Sequence, residues 1–111
     1  MVKLVFCCRR RPELSLEEFH ARWLEIHGPL VRKLREQLPM MKRYVQSHLI
    51  PGEASDALRS SRGASEPYDG ITEVWWNSLE ELVEGMSSPE GKVAHKRLLE
   101  DEKDFIDFEN S

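Results

Sequence analysis

The alternation of apolar and polar positions divides the chain into short extended runs and longer helical ones. Residues 2–8, VKLVFCC, are apolar and rich in strand formers, which predicts a first strand that Pro12 ends. Ser15 sits where an N-cap should, Glu18 completes a capping box, and Leu16, Phe19, Trp23, Ile26 and Leu30 recur at helical spacing. Gly28-Pro29 interrupts this stripe, since glycine suits the end of one helix and proline the first turn of the next. The pattern predicts a break or kink there, with the helix resuming through Val31, Leu34 and Leu38 until Pro39. In the second strand, residues 42–50, Tyr44, Gln46 and His48 alternate with Val45, Ser47 and Leu49. Residues 51–68 lack convincing periodicity and predict a long loop of the kind that often serves as a lid or binding surface.

Residues 71–76 predict a third strand, and Ser78 with Glu81 a second capping box over a short helix. Pro89 opens a further helix to about Glu102, and residues 105–108 suit a last strand. The order is βαββαβ in one domain spanning residues 1–111. Right-handed crossovers put both helical layers on one face of a four-stranded antiparallel sheet, a ferredoxin-like α+β fold.

A sheet covered on one face should alternate apolar with polar, and these strands do not. The third carries Ile71 and Trp75 on one face and Val74 and Trp76 on the other; the first divides Leu4 and Phe6 from Val5 and Cys7. Both faces are apolar, so the uncovered one calls for a partner. A second copy related by a two-fold axis would place two sheets face to face, forming a homodimeric α+β barrel.

Composition narrows the functional classes. With a net charge of −4 and only the short basic cluster Arg9–Arg11, the chain lacks the basic stripe of a nucleic-acid binder. Its longest apolar run is too short to span a bilayer, and the charges of MVKLVFCCRRRP follow that run, the wrong order for a signal peptide. The expected setting is cytoplasmic, without a membrane partner. Cys7 and Cys8 are neighbours pointing to opposite strand faces, which suits buried packing and neither a disulfide nor a metal site.

Candidate chemistry gathers in two places. His27 stands just before Gly28-Pro29. It reads either as a helix-terminal histidine facing exposed carbonyls or as a general acid or base that the kink aims into the barrel mouth. His20, about 10 Å of helical rise earlier, is expected at the surface, and Trp23 in the core. On the second strand, if Val45 and Leu49 pack on the helices, Tyr44, Gln46 and His48 face the space between the two sheets. Glu73, flanked by Ile71 and Trp75, falls on the same uncovered side, where a carboxylate is costly to ionise unless paired and is a candidate acid or base. This set reads equally as a wet dimer interface or as a functional pocket. Tyr68 and Asp69 suit a turn anchor, and His95, with no second histidine or cysteine nearby, an exposed position. No nucleophile elbow, phosphate loop or dinucleotide fingerprint occurs.

The segment RRRPELSLEEFHARWLEIHGPLV resembles the opening of EthD domains, first noted in ethyl tert-butyl ether degradation, and residues 68–107 resemble the second half of the family. The series F-x3-W-x3-H-x-P, Y-V-Q-x-H and D-G-I-x-E-V-W-W carries the likeness, which covers nearly all of the chain except about residues 53–66. The resemblance implies a dimeric α+β barrel and a histidine at the position of His27. Some fungal relatives are cofactor-free dehydratases or decarboxylases.

The expected function is therefore binding of a small apolar or aromatic compound in the barrel cavity. Cofactor-free proton transfer would serve dehydration, decarboxylation, cyclisation or isomerisation, the work of a lyase or isomerase. His27, His48 and Glu73 would move protons, Tyr44 and Gln46 would give polar contacts, and Ile71 and Trp75 an apolar wall. The alternative is a non-catalytic accessory or stabilising subunit of an oxygenase-type degradation system, using the 51–68 loop as its contact surface. A haem-handling relative, with His27 or His48 as axial ligand, ranks last.

Overall fold

The computed structural model describes residues 1–111. Strands β1 (Val2–Cys8), β2 (Arg43–His48) and β3 (Gly70–Trp76) form one antiparallel sheet in the order β1-β3-β2. Helices α1 (Leu16–Arg22) and α2 (Gly28–Leu34) connect β1 to β2. α3 (Glu53–Ser61) lies between β2 and β3, and α4 (Leu79–Ser87) and α5 (Pro89–Glu102) follow β3. Leu4, Val74 and Tyr44 stand in one cross-strand row, and Phe6, Thr72 and Gln46 in the next. These rows face the helices, so Val5, Glu73 and Val45 face away from them.

Two core clusters fill the space between sheet and helices. Phe19, Trp23, Cys8, Phe105 and Ile106 form one; Val31, Leu38, Met41, Val74, Trp76, Ala94 and Leu98 form the other. Trp23 is fully buried, as its place on the stripe predicts, and packs tightly on β3. A Cβ at Gly70 would lie 2.2 Å from Trp23 Cζ3, so only glycine fits there.

The sheet has three strands where the sequence predicts four. Residues 105–108 contribute a single bridge, Arg10 to Ile106. The chain then curls: Asp107 accepts from Asn110 Nδ2 at 2.7 Å, and its carbonyl accepts from Ser111 Oγ at 2.6 Å. Such local side-chain bonds compete with a ladder and end it. The 51–68 segment departs from expectation in the other direction. Residues 53–61 hold helix formers without Gly or Pro and fold as α3, yet the helix buries no residue, which is why no apolar stripe announces it.

Gly28-Pro29 does not break the first helical segment. Trp23–His27 form a π turn that joins α1 to α2 without interruption, with the Gly28 N–H donating to the Trp23 carbonyl. A proline ring normally crowds the carbonyl four residues back, and the wider turn gives that carbonyl room. The π turn also phases the buried face. Phe19, Trp23, His27 and Val31 are buried at successive four-residue steps, and Ile26, expected on the stripe, is exposed. In a plain α-helix each such step drifts by about 40°. The wide turn absorbs this drift and turns His27 inward.

Ser15 and Glu18 make the reciprocal capping box the sequence predicts. Ser78 caps α4 by accepting from the Glu81 N–H, but the return bond from Glu81 is missing. Pro89 starts α5 as expected, and Ser88 caps it by accepting from the Gly91 N–H.

Candidate functional site

A cavity of about 180 Å³ lies between the helices and the sheet, and its lining draws on both core clusters. Twelve of its sixteen lining residues are hydrophobic, Tyr44 with its hydroxyl among them; the other four are His27, Thr72, His95 and Glu102. A groove this apolar, with a few titratable groups converging on it, is the usual form of a small-molecule site.

His27 is buried, and its Nδ1 lies 2.8 Å from Asp101 Oδ2. Burial opposes ionisation of Asp101, yet hydrogen bonds from His27 and Arg22 outweigh it and hold the carboxyl below its ordinary range. An ionised carboxylate only accepts, so Nδ1 carries the hydrogen of the neutral ring and Nε2 presents a lone pair. Burial depresses His27 despite the bond to Asp101, which keeps the ring neutral at pH 7. Arg22 also contacts Asp104 at 3.3 Å, so Asp101 is held from the α1 side as well.

Glu102 Oε2 lies 3.8 Å from His27 Nε2, too far for a direct hydrogen bond but close enough for one bound atom to touch both. Burial, with the charge of Asp101 adding to it, pushes the Glu102 carboxyl up to about 7. The site therefore pairs a neutral base with a carboxyl that can be either acid or carboxylate at neutral pH. Adjacent groups pushed to different protonation states are what acid–base chemistry needs. Burial raises Tyr44 to about 12, so its hydroxyl stays protonated, and it accepts from Gln46 Nε2 at 2.9 Å. His95 is half-buried at the wall and depressed by burial, where the sequence predicts an exposed residue.

The structure divides the sequence-predicted site. His27 and Tyr44 line the cavity, but Gln46, His48, Ile71, Glu73 and Trp75 do not. Tyr44, Gln46 and His48 do share a face, but it is the helical face and not the open one. Gln46 explains the reversal: its Nε2 donates at 2.9 Å to the Trp23 carbonyl, at the π turn, and its Oε1 lies 2.8 Å from His48 Nε2. His48 stacks on Trp23 with ring centroids 4.5 Å apart. His20, expected at the surface, is half-buried, with Nε2 2.9 Å from the Asp69 carbonyl and its ring 4.6 Å from that of His48. Ile71, Glu73 and Trp75 lie on the opposite, open face, where Glu73 faces Lys3 Nζ at 3.8 Å and is thereby paired. Asp69 acts as the expected turn anchor, accepting from the Arg10 backbone at 2.7 Å and from its guanidinium at 2.6 Å.

Asp101, Glu102 and Arg22 were not singled out from the sequence. The signal was present in the spacing: Ala94, Leu98, Asp101 and Phe105 follow one helical face, so an acidic residue occupies a core position. No group of three or more histidine, cysteine or acidic side chains is arranged to hold a metal ion, and no helix is long and apolar enough to cross a membrane.

No curated protein matches the chain. Among solved structures, an EthD family protein from Bacillus halodurans superposes with a TM-score of 0.58 at 20% identity, covering 94% of this chain and 85% of its own. That likeness concerns the fold, a small antiparallel sheet with helices. The family model of the EthD domain matches residues 11–109, nearly the whole sequence, and the chain belongs to the EthD family.

Proposed function

We propose that the chain binds a small apolar or aromatic compound in the cavity between helices and sheet and moves a proton on it, using His27 and Glu102 and no organic cofactor. The observation that carries this reading is the buried His27, oriented by Asp101, with Glu102 3.8 Å from its free nitrogen in an otherwise apolar chamber. A dry cavity of about 150 Å³ accommodates benzene, so about 180 Å³ suits one substituted ring. His27 Nε2 would take a proton from carbon next to a carbonyl while protonated Glu102 donates to the carbonyl oxygen. In a β,γ-unsaturated carbonyl compound, return of the proton from His27 to the γ-carbon gives isomerisation. Where a β-hydroxyl is present, the proton on His27 passes to it as it leaves as water, and in both cases Glu102 regains its own proton from the carbonyl oxygen. His48 and Glu73, lying outside the cavity, have no part in this scheme, and Gln46 acts through the π turn.

The test is deuterium incorporation into phenylacetone in D2O, followed by NMR. Protein-dependent exchange that His27→Ala abolishes and Glu102→Gln diminishes is the expected result. Exchange at the buffer rate, or undiminished in both variants, refutes the assignment.

The open sheet face supports a homodimer. Val5 is about half exposed there, and Trp75 lies between Lys3 and Arg43, whose cationic groups are 5.4 and 5.0 Å from its ring. The second reading, an accessory subunit, draws on α3, which presents Leu58 to solvent and buries nothing.

A further inference from the structure

A second concavity adjoins the cavity and differs from it in charge. It is an open groove of about 430 Å³ on the helix side of β2, between α2 and the edge strand. Val31 and Tyr44 line both spaces, so groove and cavity share a wall. The only charged side chains lining the groove are Arg32 and Arg35, and no carboxylate lines it. In a protein of net charge −4 this is uncommon: Arg10, Arg11, Arg22 and Arg59 all pair with acids. The Arg32 side chain makes no hydrogen bond or ion pair, and the Arg35 guanidinium is fixed by one bond to the Lys42 carbonyl at 2.6 Å.

We infer that the compound bound in the cavity is an amphipathic acid whose carboxylate or equivalent anion is held in this groove by Arg32 and Arg35. The inference rests on the proposed function and names its substrate class. Guanidinium groups are suited to carboxylates, and a fixed Arg35 beside an uncommitted Arg32 offers one preset and one adaptable donor. The Tyr44 hydroxyl stands in the shared wall, accepts from Gln46 and keeps its own hydrogen, which gives the anion a third donor. Orientation follows from charge. The arginines attract an anion to the groove, while no lysine or arginine lines the cavity itself. An acid can then enter in one direction, with its apolar body beside His27.

The experiment compares phenylacetate with the isosteric, uncharged phenylacetamide by calorimetric titration at low ionic strength and pH 7.5. Phenylacetate is expected to bind about tenfold more tightly, the size of one charge-assisted hydrogen bond. Arg32→Gln is expected to bring that ratio close to one. Lys33→Gln, which removes the same charge just outside the groove, keeps it. If the amide binds as well as the acid, or if the ratio survives Arg32→Gln, the inference fails while the cavity reading stands. If neither compound binds, the cavity reading falls and takes the inference with it.

Discussion

Replacing Glu102 with glutamine is expected to stabilise the protein in neutral and alkaline solution while removing the proposed acid. The folded carboxyl is raised from an ordinary 4.5 to about 7, so the folded state holds a proton that the unfolded chain gives up. Below about 4.5 both states are protonated, and Glu102 does not disfavour folding through ionisation. Between 4.5 and 7 the wild type loses stability as pH rises, and above 7 the loss is complete. At roughly 1.4 kcal/mol per unit, the full penalty is about 3 kcal/mol, for a side chain only 20% exposed. A neutral glutamine of the same shape escapes it. The stability gap between variant and wild type should therefore open from pH 4.5 and level off above 7, at about 3 kcal/mol. Urea unfolding at fixed protein concentration from pH 4 to 9 measures it. A gap independent of pH, or a variant less stable than wild type at pH 8, would refute the claim that Glu102 is buried at an energetic cost. A gap of the expected form alongside lost exchange of phenylacetone would mark Glu102 as a residue kept for chemistry at the expense of stability.

Asp101→Asn should act in the opposite sense, costing about 2 kcal/mol because His27 and Arg22 lose a buried charged acceptor. Asp101 is depressed in the folded state, so its contribution is present above about pH 4 and fades as pH falls through the lower folded value; the wild-type advantage in urea must shrink in acid. The same variant should lower the already depressed His27 titration midpoint further, read from its ring proton shifts. An unchanged midpoint would disconnect the pair. Gly70→Ala should destabilise by about 3 kcal/mol, since its Cβ would lie 2.2 Å from Trp23 Cζ3 and 3.2 Å from the Ser47 carbonyl; thermal melts within 1 °C of wild type would contradict the packing. Trp75→Lys, which sets a third cation beside Lys3 and Arg43, should turn the proposed dimer into a monomer in sedimentation velocity.

The first three strands, the capping serines at Ser15 and Ser78 and the positions of the main helices are legible in the sequence because each follows a local rule: alternation, Ser before Glu, Pro at a first turn. The π turn is not. Its four-residue steps from Phe19 to Val31 fit a plain helix about as well as the expected stripe through Ile26 does, and Gly28-Pro29 suggests a break. That one ambiguity spreads to the site. The Trp23 carbonyl, already accepting from the Gly28 N–H, takes a second bond from Gln46, and Tyr44, Gln46 and His48 face the helices with it. Hydrophobicity alone favours the other choice, since Val45 and Leu49 look like core. On β3 the uncovered side expected for Ile71, Glu73 and Trp75 is the open face of the sheet. The acidic pair on α5 escaped notice for a simpler reason. Asp101 and Glu102 sit in a run of charges that reads as a solvated surface, and only their phase relative to Leu98 and Phe105 distinguishes them.

The exposed helix α3 has a consequence for how this chain can be cut and lengthened. It sits in the connection between β2 and β3 and buries no residue, while the ends of that connection are tied by the Leu49 N–H to the Asp69 carbonyl at 3.1 Å. Opening α3 therefore exposes no core and leaves the strand register held from below. Its amides should exchange with solvent orders of magnitude faster than those of β3, and a protease should nick here first and leave two fragments still joined through the sheet. Residues 53–61 are thus the natural port for an inserted tag or sensor domain, because the core does not include them.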